Sequence, residues 1–114
     1  IDSGMEIGSH TQNHVRLAES NIKIATEEII QSKLDLETQF NCSIGHFCYP
    51  YGSYNDEITA IVKKAGYTTA TTVNRGRAKH DNNLLTLPRV PITHRTFIHL
   101  FLMKILSKYE DKHE

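Results

Sequence analysis

His46-Phe47-Cys48-Tyr49-Pro50-Tyr51-Gly52-Ser53, then Asn55-Asp56-Glu57-Ile58 and, after Ala65-Gly66, Thr68-Thr69-Ala70-Thr71-Thr72-Val73, is the stretch that decides the fold. His46 to Tyr49 reads as a strand, and Pro50 breaks it because proline has no N–H to give a ladder. Asn55-Asp56-Glu57 opens a helix with acidic residues where the macrodipole favours them. Ile58, Ile61, Val62 and Ala65 form its apolar stripe, and Gly66 supplies the stop. Thr68 to Val73 is β-branched and alternating, so it reads as the next strand. Strands alternating with helices imply an α/β layout with parallel strands.

The flanking sequence extends the pattern. Met5 to His10 reads as a short strand running into a polar turn, Thr11 to His14. A helix is expected from Ser20 or Asn21, both good N-caps, to about Phe40. Ile22, Ala25, Ile29, Leu36 and Phe40 fall near helical spacing on one face, with Glu27, Glu28, Gln31 and Asp35 elsewhere. Asn41 to Gly45 is a turn. Asn74 to Asn83 is a polar, basic loop, and Leu84 to Ile92 holds a short strand pinned by Pro88 and Pro91. Arg95 to Tyr109 reads as a final helix.

The chain has 114 residues, which excludes a two-domain reading. A hydrophobic fraction of 39% and a charged fraction of 23% are those of an ordinary globular protein. Thirteen Lys plus Arg balance thirteen Asp plus Glu, so no global field recruits nucleic acid or an anionic membrane. The longest apolar run, Phe97 to Leu106, is interrupted by His99 and Lys104 and is too short for a transmembrane segment. Cys42 and Cys48 fit neither a disulfide scaffold nor a zinc motif, and read as reduced, partly buried thiols with the redox compartment open. Seven histidines direct attention to metal or acid–base chemistry. The chain opens with Ile1 and shows no basic-then-apolar targeting segment; the reading is that its true N-terminus lies further upstream.

In α/β folds, ligand chemistry collects at the C-terminal ends of the strands. His10-Thr11-Gln12-Asn13-His14 stands at the first such end. Two histidines four apart can converge where a strand passes into a turn, and neutral imidazole is a common ligand for Zn²⁺ and similar cations. Thr11 follows the first His where the helical metalloprotease motif has Glu, so that arrangement is not supported. Taken alone, the pair also fits two solvated turn histidines. Pro50-Tyr51-Gly52 stands at the second end, where a tight turn can free backbone N–H groups to hold an oxyanion. Alone, it also fits an ordinary strand-to-helix turn.

Together these segments carry more. Gly4 to His14, a helix holding Glu28-Ile29 and Ser32-Lys33, Phe47 to Gly52, Ala65-Gly66-Tyr67 and Leu87-Pro88-Arg89-Val90-Pro91-Ile92 follow in an order that resembles the polysaccharide deacetylase family, the NodB-homology carbohydrate esterases. The resemblance runs from about Gly4 to Ile92. It implies a partial distorted (β/α) barrel with its N-terminal strands missing, residues 1–94 forming the C-terminal part of the domain and residues 95–114 a helix and tail. It also implies metal-dependent hydrolysis of N-acetyl groups from an acetylated amino-sugar polymer. His10 and His14 become metal ligands and Thr11 braces their turn. Pro50, Tyr51 and Gly52 become substrate-binding, with the Tyr51 backbone N–H as oxyanion donor. Zn²⁺ is the first choice of cation, with Co²⁺, Ni²⁺ or Mn²⁺ as alternatives. The substrate class points to the cell envelope or beyond.

Three departures qualify the resemblance. The family's paired aspartates, one a ligand and one the base, have no counterpart in Ile1-Asp2-Ser3, so the isolated chain is expected to be catalytically weak or dead. Many members have Arg where Cys48 stands; Arg89 is the candidate to replace it in orienting the base. The late general-acid histidine is not cleanly present, and His94 is the nearest candidate, against the plainer reading of a surface histidine. His46, His80, His99 and His113 read as ordinary residues. The alternative function is a non-catalytic carbohydrate-binding relic, with Tyr49, Tyr51 and Tyr54 lining a groove. Sheet edges left exposed by a part-barrel predict marginal stability or self-association.

Overall fold

The strand–turn–helix–strand unit is present in a computed structural model of the chain, which describes residues 1–113, with Lys112 and His113 described by backbone alone. Glu114, the end of the expected tail, and the His113 side chain lie outside the described residues. One three-stranded parallel sheet has the order β1 (His46–Cys48), β2 (Thr69–Arg75), β3 (Leu87–Arg89). β1 aligns His46, Phe47 and Cys48 with Thr69, Ala70 and Thr71. β2 meets β3 at Thr71–Leu87 and Arg75–Arg89, with the register slipping between them, where Pro88 offers no N–H to the ladder.

Helix α1 (Ile22–Phe40) starts at Asn21, whose side chain accepts the Ile24 N–H at 2.9 Å, and ends at Asn41 in the left-handed conformation. Helix α2 (Asp56–Lys64) is capped by Asn55, which accepts the Ile58 N–H at 2.9 Å. Asp56 and Glu57 begin it and Lys63 and Lys64 close it, so both ends complement the macrodipole. Ala25 and Ile29 of α1 and Ile58 and Val62 of α2 meet Phe47, Tyr49, Tyr67 and Ala70 in one core on one face of the sheet. Strand alternation turns His46, Cys48, Thr69 and Thr71 to the opposite, more open face.

Several expectations need correction. The Met5–His10 strand is reduced to one bridge, in which the Ser9 N–H donates to His46 O (2.8 Å) and Ser9 O accepts the Cys48 N–H (3.0 Å). Pairing stops there because Thr11 takes a left-handed φ of 67°. On α1, Ile22 and Phe40 are exposed whereas Glu28 and Ser32 are buried. The short strand expected within Leu84–Ile92 is present as Leu87–Arg89, with Pro88 at its centre. The final helix, α3, runs only from Ile98 to Leu106. Thr93 and Thr96 close a turn of their own before it, the Thr96 N–H donating to Thr93 O at 3.0 Å.

After α3, a 3-10 turn (Glu110–His113) folds back onto the sheet. Glu110 is fully buried there, 2.8 Å from Arg75 Nε and 2.7 Å from Lys104 Nζ. Asp111 accepts the Arg77 backbone N–H at 3.1 Å and pairs with its guanidinium at 3.3 Å. Lys104 also donates to Pro91 O at 2.9 Å, so the last helix and turn are tied to β2 and to the segment after β3.

Candidate functional site

The turn after Ser9 and the turn after Cys48 come together at the end of β1. His10 reaches back to the carbonyl of Cys48, with Nδ1 2.7 Å from the oxygen. A carbonyl only accepts, so Nδ1 carries the hydrogen, and in the neutral ring the lone pair is then on Nε2. That tautomer is the metal-ligating one. The His14 ring lies edge-on to His10 at 4.6 Å between centroids. Two imidazoles side by side fit a divalent cation as two of its ligands. No third His, Cys, Asp or Glu joins them among the described residues.

Their spacing depends on an unusual backbone. Thr11 and His14 both have positive φ, 67° and 55°. The Thr11 hydroxyl accepts the His14 N–H at 3.0 Å, which is the bracing role expected of it. From α1, Glu28 accepts the Gln12 and Asn13 N–H groups at 2.7 and 2.9 Å and the Asn13 side-chain amide at 2.7 Å. Ser32 meets the Ser9 hydroxyl at 2.8 Å, and Asp35 accepts from Gln12 Nε2 at 3.1 Å. Glu28, Ser32 and Asp35 stand four and three residues apart, one polar stripe facing the turn. None of the three received a role from sequence; the signal was there, since Glu28 and Ser32 share the helical face of Ala25 and Ile29.

The second turn supplies the other half. Pro50 is buried and begins a single 3-10 turn in which Tyr51 (φ 58°) and Gly52 (φ 67°) are both left-handed. The Tyr51 backbone N–H donates to no acceptor among the described residues, while those of Gly52 and Ser53 bond to Tyr49 O and Pro50 O at 2.9 and 3.0 Å. The Tyr51 side chain is 54% exposed. Its ring meets His14 edge-on at 4.6 Å and lies under the Arg16 guanidinium at 4.0 Å.

Other candidates divide. Arg89 reaches across the open face of the sheet, its Nη1 3.9 Å from Cys48 Sγ. His94 lies exposed beside Thr93 and has no hydrogen bond or ring contact with His10 or His14 among the described residues. Tyr49 does not line a groove: it is 1% exposed, and its hydroxyl donates to Leu85 O at 2.8 Å. Burial pushes its phenol up, so it stays a protonated donor. Tyr54 is packed against it at 5.2 Å, leaving Tyr51 as the exposed member of the three. Cys42 and Cys48 are free thiols of intermediate exposure, as read from their spacing.

Comparison with known proteins places this geometry. YxkH of Bacillus subtilis (strain 168), provisionally named a polysaccharide deacetylase, is 30% identical over 90 residues, which are 79% of this chain and 32% of that protein. The Streptococcus pyogenes deacetylase PplD, solved in complex with acetate, superposes with a TM-score of 0.88 at 32% identity, over 91% of this chain and 46% of its own. BC0361, a polysaccharide deacetylase from Bacillus cereus, gives 0.78 at 30% identity, over 90% of this chain and 33% of its own. The chain thus spans about a third of the curated relative and less than half of either solved one. The polysaccharide deacetylase family model matches residues 1–70, and with the open parallel sheet and its two converging turns in place, the chain belongs to that family.

Proposed function

We propose that this chain carries part of the active site of a metal-dependent N-deacetylase acting on an acetylated amino-sugar polymer. The observation that carries the reading is the meeting of His10 and His14 with a turn whose Tyr51 N–H has no protein acceptor among the described residues. A divalent cation, Zn²⁺ in first place, would be held by His10 and His14 and, when bound, would polarise the amide carbonyl and acidify the attacking water. The chain's own groups position the ligand ring, the oxyanion and the sugar. The Cys48 carbonyl orients the His10 ring, Tyr51 N–H receives the oxyanion, and the left-handed Gly52 lets the backbone approach the sugar. A third ligand and the general base come from carboxylates outside the described residues. Arg89, beside Cys48, takes the place of the arginine that many members carry there and orients that base.

PplD was solved with acetate, the acid that N-acetyl hydrolysis releases, which supports this reaction class. A substrate of this class favours work at the cell envelope or outside the cytoplasm. No helix among the described residues is long and apolar enough to cross a membrane. His10→Ala and His14→Ala should each weaken Zn²⁺ binding by more than the roughly 10–100-fold typical of losing an outer-shell partner. Calorimetric titration checks this, and affinity unchanged in both variants would sink the assignment. In a complete protein that supplies the third ligand and the base, Arg89→Ala should slow acetate release from an N-acetylglucosamine oligomer about 10–100-fold while leaving Zn²⁺ affinity intact. Unaltered kinetics would remove Arg89 from the site.

A further inference from the structure

Glu28 stands behind the turn that carries His10 and His14, only 4% exposed. No Lys, Arg or His nitrogen lies within ion-pair distance of its carboxylate among the described residues. A buried carboxylate without a cation is costly unless several donors replace its water. Here all three donors come from the stretch between the two histidines. Oε2 accepts the backbone N–H groups of Gln12 (2.7 Å) and Asn13 (2.9 Å), and Oε1 accepts Asn13 Nδ2 (2.7 Å). The same turn holds Thr11 and His14 at φ 67° and 55°, conformations that persist only where neighbouring groups enforce them. The Thr11 hydroxyl secures one end of the turn and Glu28 the middle.

We infer that Glu28 is a positioning residue for the cation site: its carboxylate sets the Gln12–Asn13 backbone so that His10 and His14 converge, and its unpaired negative charge lies behind them. This rests on the metal-site reading proposed above. A neutral amide is a poorer substitute, because it carries no charge and only one of its two ends can accept a hydrogen bond. The charge and the geometry therefore act together, and neither is supplied by Ser32 or Asp35, which touch only side chains of the segment.

The test is calorimetric titration of the protein with Zn²⁺ in wild type, Glu28→Gln, Glu28→Ala and the double variant His10→Ala/His14→Ala. Amide hydrogen exchange at Gln12 and Asn13 is followed alongside. Affinity should fall about tenfold in Glu28→Gln and up to about a hundredfold in Glu28→Ala, at temperatures where melting curves show both folded. A merely structural role would lower the melting temperature without moving the affinity of the folded variant. Wild-type affinity in the Glu28 variants, with binding abolished in the double-histidine variant, overturns this inference and leaves the metal site standing. Binding that survives loss of both histidines, or a wild type that takes up no Zn²⁺, overturns the metal-site reading and this inference with it. Rapid exchange of the Gln12 and Asn13 amides in the wild type also overturns it, whatever the variants do.

Discussion

Gly52→Ala should destabilise the fold by about 2–4 kcal/mol, from a left-handed backbone and a steric clash acting together. Gly52 has φ +67°, and a Cβ there would lie 2.4 Å from Val73 Cγ2 and 3.2 Å from Val73 Cβ. Valine is stiff at χ1, so its methyl cannot simply swing aside. Either β2 or the Pro50–Gly52 turn must move, and the turn holds the unpartnered Tyr51 N–H. In a complete protein that supplies the third ligand and the base, activity should therefore fall further than stability alone predicts. Urea unfolding of Gly52→Ala alone and combined with Val73→Ala separates the two contributions. The pair should recover the clash component, about 1–3 kcal/mol, and keep the backbone penalty. No recovery would mean that Val73 is not what confines Gly52.

Glu110→Ala should cost about 3 kcal/mol at neutral pH, by removing the centre of the Arg75–Glu110–Lys104 cluster. Glu110 and Lys104 are buried, so Lys104 loses its carboxylate partner and keeps the Pro91 carbonyl and the face of the Tyr109 ring. Arg75 keeps 41% of its side chain exposed, and solvent screening there holds the figure to the low end of the range for a broken buried pair. The hydrogen bond from Arg75, reinforced by Lys104, holds the Glu110 carboxyl below its ordinary 4.5. The Arg77 backbone N–H does the same for Asp111, ordinarily 3.8. Because the folded values are the lower ones, the unfolded chain binds more protons in acid. The stabilisation is complete above about pH 4.5 and is lost as the pH falls through the lowered folded values. Thermal melts from pH 7 downward should show wild type and Glu110→Ala converging in acid. A gap that stayed constant would mean that the carboxylate charge contributes nothing.

The parallel sheet was legible because Pro50, Asn55 and Gly66 punctuate the central unit with local chemistry that tertiary packing has no reason to override. The first strand was not, since the apolar content of Met5 to Ile7 says nothing about where Thr11 turns left-handed. On α1, apolar residues alone were taken to mark the inner face. Ile22 and Phe40 are its first and last residues, where a periodic position no longer guarantees burial. Glu28 and Ser32 occupy inner positions because the segment they meet is polar backbone. The His10/His14 pair and the Pro50-Tyr51-Gly52 turn could be named from residue type and order. Nothing linear brings Arg89 to Cys48 or puts Arg16 over Tyr51, because those contacts join segments that only the folded sheet and turns make neighbours.

Among the described residues, four non-glycine residues have positive φ, and three of them, Thr11, His14 and Tyr51, belong to the candidate site, the fourth being the helix-ending Asn41. This concentration makes the site a poor place to seek heat tolerance. Substitutions that let these positions relax would make the chain more robust while disarming it. A thermostabilised variant should gain its degrees elsewhere, for instance by replacing exposed apolar residues on α1 such as Leu34, and leave the three constrained residues as they are.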